Sequence, residues 1–301
     1  MLRRATPKRR AQIMSESLTI AEALTEAAAR LRAGGVGAAR ADAAALLAHT
    51  LACDRAFLVA HDDDALAPDA LAQFRLAVER RAAGEPLQYV TGRQEFYGLE
   101  FEVTPAVLIP RPETELLVET ALMLLRDRAA PRLCDVGTGS GCIAVALLHE
   151  RADASAVALD ISPAALAVAA RNAARHGVCA RLALVASDCF AALDPARARF
   201  DAILSNPPYV AERDLAGLQR EVRAHEPRCA LTPGGDGLSV IRRLLADAPR
   251  FLAPGGHLLF EIGFDQHERV AQLIDPRTWT LLDIHGDLQG IPRTVALRHA
   301  S

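Results

Sequence analysis

Between residues 131 and 262, short apolar runs alternate with longer segments whose apolar residues recur at helical spacing. This alternation constrains the fold more than any other feature of the chain. The runs 133–136, 156–159, 182–185, 202–205 and 257–262 predict strands. The segments 142–149, 163–176, 238–251 and 266–274 predict the helices between them. Such a pattern predicts an α/β fold, a parallel sheet covered by helices on both faces. Two more strands, 279–284 and 293–297, are expected around a turn.

The first part of the chain reads differently. Residues 18 to 82 are helical throughout, with apolar stripes through Leu24, Ala28 and Leu31, then Ala43, Leu46, Leu47 and Leu51, then 66–78. Gly34-Gly35 ends the first stripe and Pro68 opens the third. A small helical bundle follows. From residue 86 to 110, Tyr89, Val90, Phe96, Tyr97, Phe101 and Val103 bring aromatic and β-branched residues punctuated by Gly92 and Gly98, which predicts a hairpin or extended linker. The expected division is therefore 1–16, a basic disordered tail or a start codon placed too early; 17–85, the helical domain; 86–112, a β-hairpin linker; and 113–301, the α/β domain.

The chain's hydrophobic share, 51% of 301 residues, supplies a large core. Its net charge is −3, and setting aside Arg3, Arg4, Lys8, Arg9 and Arg10 leaves −8 on the remainder. That balance argues against direct nucleic-acid binding. No apolar h-region follows the basic tail, and Met14-Ser-Glu-Ser reads as a second start. No run approaches the ~20 apolar residues of a membrane span. The six cysteines (Cys53, Cys134, Cys142, Cys179, Cys189, Cys229) form no Cys-x-x-Cys pair and no metal-ligand spacing, so thiols in a reducing cytoplasm and no bound metal are expected. No sustained exposed apolar stripe stands out, so a monomer is expected.

Asp135-Val-Gly137-Thr138-Gly139-Ser140-Gly141 follows the first predicted strand and opens a helix. Glycines let a ligand approach the backbone, and a helix N-terminus offers free amides. The spacing is one residue short of the dinucleotide fingerprint. An acid ahead of the glycines suits a cationic, phosphate-free ligand, and S-adenosylmethionine is one; a dinucleotide and a bare structural turn are the other readings. Asp160 ends the second strand, where a carboxylate can accept both ribose hydroxyls. Asp188 follows the third, where it either accepts from the adenine amino group or caps a helix. All these positions sit at the carboxyl edge of the sheet, where open α/β folds bind ligands.

Asn206-Pro207-Pro208-Tyr209 follows the run ending at Ser205. Its Asn206 side-chain oxygen and Pro207 carbonyl can accept the two hydrogens of a planar NH2 group, and the prolines fix where that carbonyl points. Tyr209 is expected to close one face and touch the transferred methyl. Amide nitrogen is a poor nucleophile because resonance occupies its lone pair. Holding both hydrogens favours pyramidal nitrogen, and alignment with a sulfonium methyl supplies proximity. Direct displacement without a strong base is the expected chemistry.

With these motifs in place the chain resembles the peptide chain release factor glutamine methyltransferases, from about residue 17 to residue 297. The resemblance is carried by Pro86-Leu-Gln-Tyr-Val-Thr-Gly92, Glu95-Phe-Tyr-Gly98, Ile109-Pro-Arg-Pro-Glu-Thr-Glu115, the glycine turn, Asn206-Pro-Pro-Tyr209, Gly234-Gly-Asp-Gly-Leu238, Glu261-Ile-Gly263 and Asp287-Leu-Gln-Gly-Ile-Pro-Arg293. It implies a Rossmann-like class I S-adenosylmethionine-dependent methyltransferase with a mostly parallel seven-stranded sheet. It implies methylation of the glutamine in a Gly-Gly-Gln loop of class 1 release factors, with the helical domain docking that partner. Cofactor contacts carry over onto Gly137, Thr138, Gly139, Ser140, Gly141, Asp160 and Asn206, and substrate contacts onto Asn206, Pro207, Pro208 and Tyr209. Where the family often has an aromatic residue after the third-strand acid, this chain has Cys189, so Phe190 is read as covering the adenine. Rival readings are a glutamine methyltransferase of a ribosomal protein, an adenine N6 methyltransferase of DNA or RNA, and a cofactor-binding module without catalysis.

Overall fold

Thr19 starts the first helix with a reciprocal cap: its hydroxyl accepts the Glu22 amide at 3.2 Å, and the Glu22 carboxylate accepts the Thr19 amide at 2.9 Å. The computed structural model describes residues 18–300, so the expected tail 1–16 lies outside the described residues. Among the described residues five helices make the first unit: α1 (Ile20–Ala33), α2 (Ala39–Leu51), α3 (Arg55–Ala60), α4 (Pro68–Ala82) and α5 (Leu87–Thr91). Their apolar stripes meet on Leu31, Leu46, Leu47, Leu58 and Phe74, all at most 2% exposed. Arg81 pairs with the largely buried Asp42 at 2.8 Å, joining α4 to α2.

The chain divides between Thr91 and Gly92 into two compact units. Residues 87–91, read from sequence as part of a hairpin linker, form a helical turn instead. The amides of Tyr89 and Val90 both bond to the Pro86 carbonyl, and Val90 is buried in the helical core. Packing of that one apolar side chain outweighs the β-propensity of the run.

The second unit opens with the antiparallel hairpin β1 (Arg93–Phe96) and β2 (Leu99–Glu102). There follow α6 (Glu115–Leu124), β3 (Arg132–Val136), α7 (Cys142–Glu150), β4 (Ser155–Asp160), α8 (Pro163–Arg175), β5 (Leu182–Ala186) and β6 (Phe200–Ser205). The short α9 (Arg220–His225) and α10 (Arg228–Leu231) precede α11 (Ser239–Asp247), β7 (Leu252–Glu261), α12 (His267–Ala271), β8 (Trp279–Gly286) and β9 (Pro292–His299). The sheet order is β5-β4-β3-β6-β7-β9-β8, parallel from β5 to β7 with β9 antiparallel to both its neighbours. The chain builds outward from β3 to β5 and then returns to place β6 on the other side of β3. That reversal opens a crevice at the carboxyl ends of β3 and β6, the switch point of an open sheet. Helices cover both faces, which is why the central strands are apolar on both sides: Cys134, Ala158, Ile203, Leu204 and Leu258 are fully buried. One face packs on Leu117, Val118 and α7, the other on Ile241, Phe251 and Trp279.

Candidate functional site

The glycine turn is built by the two strands beneath it. The amides of Gly137 and Thr138 both donate to the Leu159 carbonyl, at 2.8 and 2.9 Å. Gly139 donates its amide to Asp160 Oδ2 at 2.8 Å, and Ser162 donates to Asp160 Oδ1 at 2.8 Å. Each Asp160 oxygen thus has one backbone donor and keeps a lone pair. Asn172, fully buried, donates to the Ser140 carbonyl at 2.9 Å and exchanges bonds with the Glu102 backbone at 2.7 and 3.0 Å, tying β2 to the turn.

These groups open into a cavity of about 400 Å³, within the usual size of small-molecule sites. Gly137, Thr138, Gly139 and Ser140 form one wall, with Asp160 and the exposed Ile161 beside them. Asp188 and Cys189 form a second wall, and Asn206, Pro207 and Pro208 a third. Segments 106–110 and 227–233 contribute apolar lining.

Three expected contacts, Gly141, Phe190 and Tyr209, fall outside that lining. Gly141 has φ +82, and a Cβ there would come within 3.1 Å of the Ala169 Cβ, so it lets α8 pack closely and caps α7. Phe190 is buried and stacks on Phe251 at 4.9 Å in the core. Cys189, at a left-handed φ of +47, lines the cavity while also packing against the core, and Phe190 does not line it. Burial pushes the Cys189 thiol above its ordinary range, which keeps it protonated. Asp188 keeps its place in the wall but shares one carboxylate oxygen with Arg243 at 2.8 Å.

Asp135 is buried at the end of β3 and does not line the cavity; its Oδ2 accepts the Thr138 hydroxyl at 2.6 Å. Its Oδ1 makes no full hydrogen bond, although the Ala144 amide in the first turn of α7 favours the charged form. Burial dominates and, with the nearby charge of Asp160 adding to it, lifts the carboxyl to about 7.

The acceptor motif is held from behind. Asn206 donates its side-chain NH2 to Thr114 Oγ1 at 3.0 Å, and Thr114 donates to Glu261 Oε2 at 2.6 Å. Tyr209 donates its hydroxyl to Glu261 Oε1 at 2.9 Å. Tyr209 therefore does not line the cavity as expected: the buried Glu261 carboxylate needs donors, and the phenol is one of them. Burial, then the Glu261 charge, pushes that phenol far above its ordinary range, so it keeps its proton. The Tyr209 carbonyl accepts Gln266 Nε2 at 2.8 Å, and Gln266 Oε1 accepts the Gly263 amide at 2.9 Å.

Gly237, at φ +81, lies against the same segment, where a Cβ would overlap the Tyr209 carbonyl. Gly237→Ala combines backbone strain with that overlap and is expected to cost roughly 1–3 kcal/mol. Thermal unfolding and turnover should both fall; a variant equal to wild type in both would show that the segment needs no such close approach.

Residues 22–92 match the PrmC N-terminal domain family, and residues 112–245 match the methyltransferase small domain family. A release factor glutamine methyltransferase of Cereibacter sphaeroides is 48% identical over 280 residues, covering 92% of this chain and 98% of the relative. That of Koribacter versatilis is 43% identical over 281 residues, covering 93% of this chain and 99% of the relative. This chain belongs to the release factor glutamine methyltransferases. Its fold is also that of the hMettl16 catalytic domain, solved in complex with the MAT2A 3'UTR hairpin 6, with TM-score 0.50 at 17% identity over 77% of this chain and 81% of that one.

In this release factor glutamine methyltransferase, one cavity brings together Gly137, Thr138, Gly139, Ser140, Asp160, Asp188, Cys189, Asn206, Pro207 and Pro208. Reading by sequence missed Thr114, Asn172 and Glu261. Thr114 and Glu261 stood inside two of the motifs that carried the resemblance, but nothing local in the sequence pairs them.

Proposed function

We propose that this chain transfers a methyl group from S-adenosylmethionine to the side-chain amide nitrogen of the glutamine in the Gly-Gly-Gln loop of class 1 release factors, in the cytoplasm and as a monomer. The observation that carries this reading is that Asn206, with its NH2 committed to Thr114, shares a cavity with the glycine turn and Asp160. The lining fits the cofactor, with a carboxylate that has spare lone pairs for two ribose hydroxyls and apolar walls for a base; behind the lining, Asp135 lies buried against Thr138, where its charge can favour a cation. When bound, S-adenosylmethionine supplies an electrophilic methyl on a sulfonium. Asp160 holds the ribose, while Asp188 and the neighbouring backbone receive the adenine amino group. Asn206 Oδ1 and the Pro207 carbonyl accept the two hydrogens of the glutamine amide and point its lone pair at the methyl. Pro208 and Tyr209 hold that loop rigid, and the proton leaves to water after transfer.

The helical domain, 17–85, is proposed to dock the release factor. Phe57, Val59 and Leu76, at 41%, 73% and 68% exposure, give it apolar surface for a protein partner. Direct binding of nucleic acid forms no part of the reading.

Asp135 makes cofactor binding depend on pH. Below about 7 its carboxyl is neutral and above it is charged, so affinity for a cationic ligand should rise with pH through that value. Calorimetric titration should show this in wild type and a flat profile in Asp135→Asn; matching profiles would remove Asp135 from the account. The same group weakens the free protein as pH rises. The unfolded chain loses this proton near 4 and the folded one near 7, so the stability present below 4 is lost over that window.

Labelled S-adenosylmethionine offered with a release factor, its loop Gln→Ala variant, a ribosomal protein and DNA tests the proposed function. Label is expected on the intact release factor alone. Label on DNA, or undiminished label on the loop variant, would overturn it.

A further inference from the structure

We infer that Glu261 is a positioning residue whose carboxylate, acting through the Thr114 hydroxyl, dictates which end of the Asn206 amide faces the acceptor nitrogen. The inference rests on the reading of Asn206 above and adds a cause for its orientation. An amide side chain can present either its oxygen or its NH2 to the cavity, and only the oxygen can hold a substrate NH2. Nothing in Asn206 itself makes that choice.

Donor and acceptor identities make it. Tyr209 keeps its proton and donates to Oε1 of Glu261, so that oxygen is an acceptor. The other oxygen lies 2.6 Å from the Thr114 hydroxyl, which has one proton and gives it to the carboxylate. Thr114 Oγ1 is left with lone pairs only. At 3.0 Å from Asn206 it can accept and cannot donate, so Asn206 must turn its NH2 toward Thr114. Its Oδ1, which takes no bond from the described residues, is then available to the substrate. Burial pushes the Glu261 carboxyl above its ordinary range; the two hydroxyl bonds from Thr114 and Tyr209, and then the positive charge of Arg293, oppose that and favour the ionised form on which this polarity depends. Glu261 and Thr114 are each about 1% exposed, so water does not compete for these bonds.

Removing either member frees Asn206 to rotate. Thr114→Val deletes the hydroxyl with little change of shape, and Thr114→Ser keeps it. Thr114→Val is expected to lower kcat by about 100-fold, the scale of a misplaced reacting group, with the affinity for S-adenosylmethionine and the melting temperature near wild type. Thr114→Ser should restore kcat. Glu261→Leu should lose as much as Thr114→Val, and the double variant no more than either, because both act through one bond chain. Should Glu261→Leu not fold, the two Thr114 variants decide alone. The Asn206 side-chain amide resonances, read by NMR without substrate, should move in Thr114→Val and stay in place in Thr114→Ser. That readout separates failure of the relay from failure of the assigned substrate. Unmoved resonances in Thr114→Val, or a kcat equal to wild type, would overturn the inference.

Discussion

Asn206→Ala should abolish methyl transfer and leave cofactor binding close to wild type. The variant removes one of the two acceptors proposed for the hydrogens of an amide whose lone pair is tied up by resonance. Without it the nitrogen is neither drawn toward a pyramidal shape nor aimed at the methyl. Loss of a single preorganised group facing a developing charge costs about 10²–10³-fold, and the accompanying misalignment adds to that. Asn206 reaches the cavity from the end of β6, whereas the glycine turn and Asp160 reach it from the ends of β3 and β4. Turnover of labelled cofactor and calorimetric affinity therefore separate the two effects. Turnover near wild type would remove Asn206 from the chemistry.

Asp160→Ala should produce the opposite pattern, with affinity for S-adenosylmethionine falling much more than kcat at saturation. The carboxylate holds two amides, those of Gly139 and Ser162, and so fixes the shape of both loops. It also offers the lone pairs assigned to the ribose. Bonds to charged groups contribute ~1.5–3 kcal/mol each, so losing two to the ligand predicts roughly 10²–10⁴-fold weaker binding. Asp160→Asn retains one acceptor oxygen and should lose less. An unchanged Kd in Asp160→Ala would place the ribose elsewhere.

Much of the fold was legible because the central strands are buried on both faces and the intervening helices are long enough to show their period. The residues missed were those fixed by tertiary packing. Val90 draws residues 87–91 into a helical turn by joining the first unit's core, which β-branched composition does not reveal. The carboxyl-edge site was legible in its motifs, since Gly137 and Asn206 each directly follow a strand and Asp160 ends one. Side-chain direction was not. Cys189, at a left-handed φ, and not Phe190 lines the cavity, and no residue identity at 189 announces it. Gly141 shows the converse, a glycine of the motif used for helix packing. Glu261 and Thr114 stand 147 residues apart, and Thr114 and Asn206 stand 92 apart. Bonds at such separations depend on strand order, and the carboxylate that sets the acceptor's polarity became visible only once β6 and β7 were side by side.

The central claim is that the acceptor loop built around Asn206 methylates one glutamine nitrogen of a release factor. Tandem mass spectrometry of a release factor incubated with the wild-type enzyme and S-adenosylmethionine tests it most directly. One methyl is expected on the side-chain nitrogen of the Gly-Gly-Gln glutamine, absent when Asn206→Ala replaces the wild type. A methyl on any other residue, or the same product from Asn206→Ala, would contradict it.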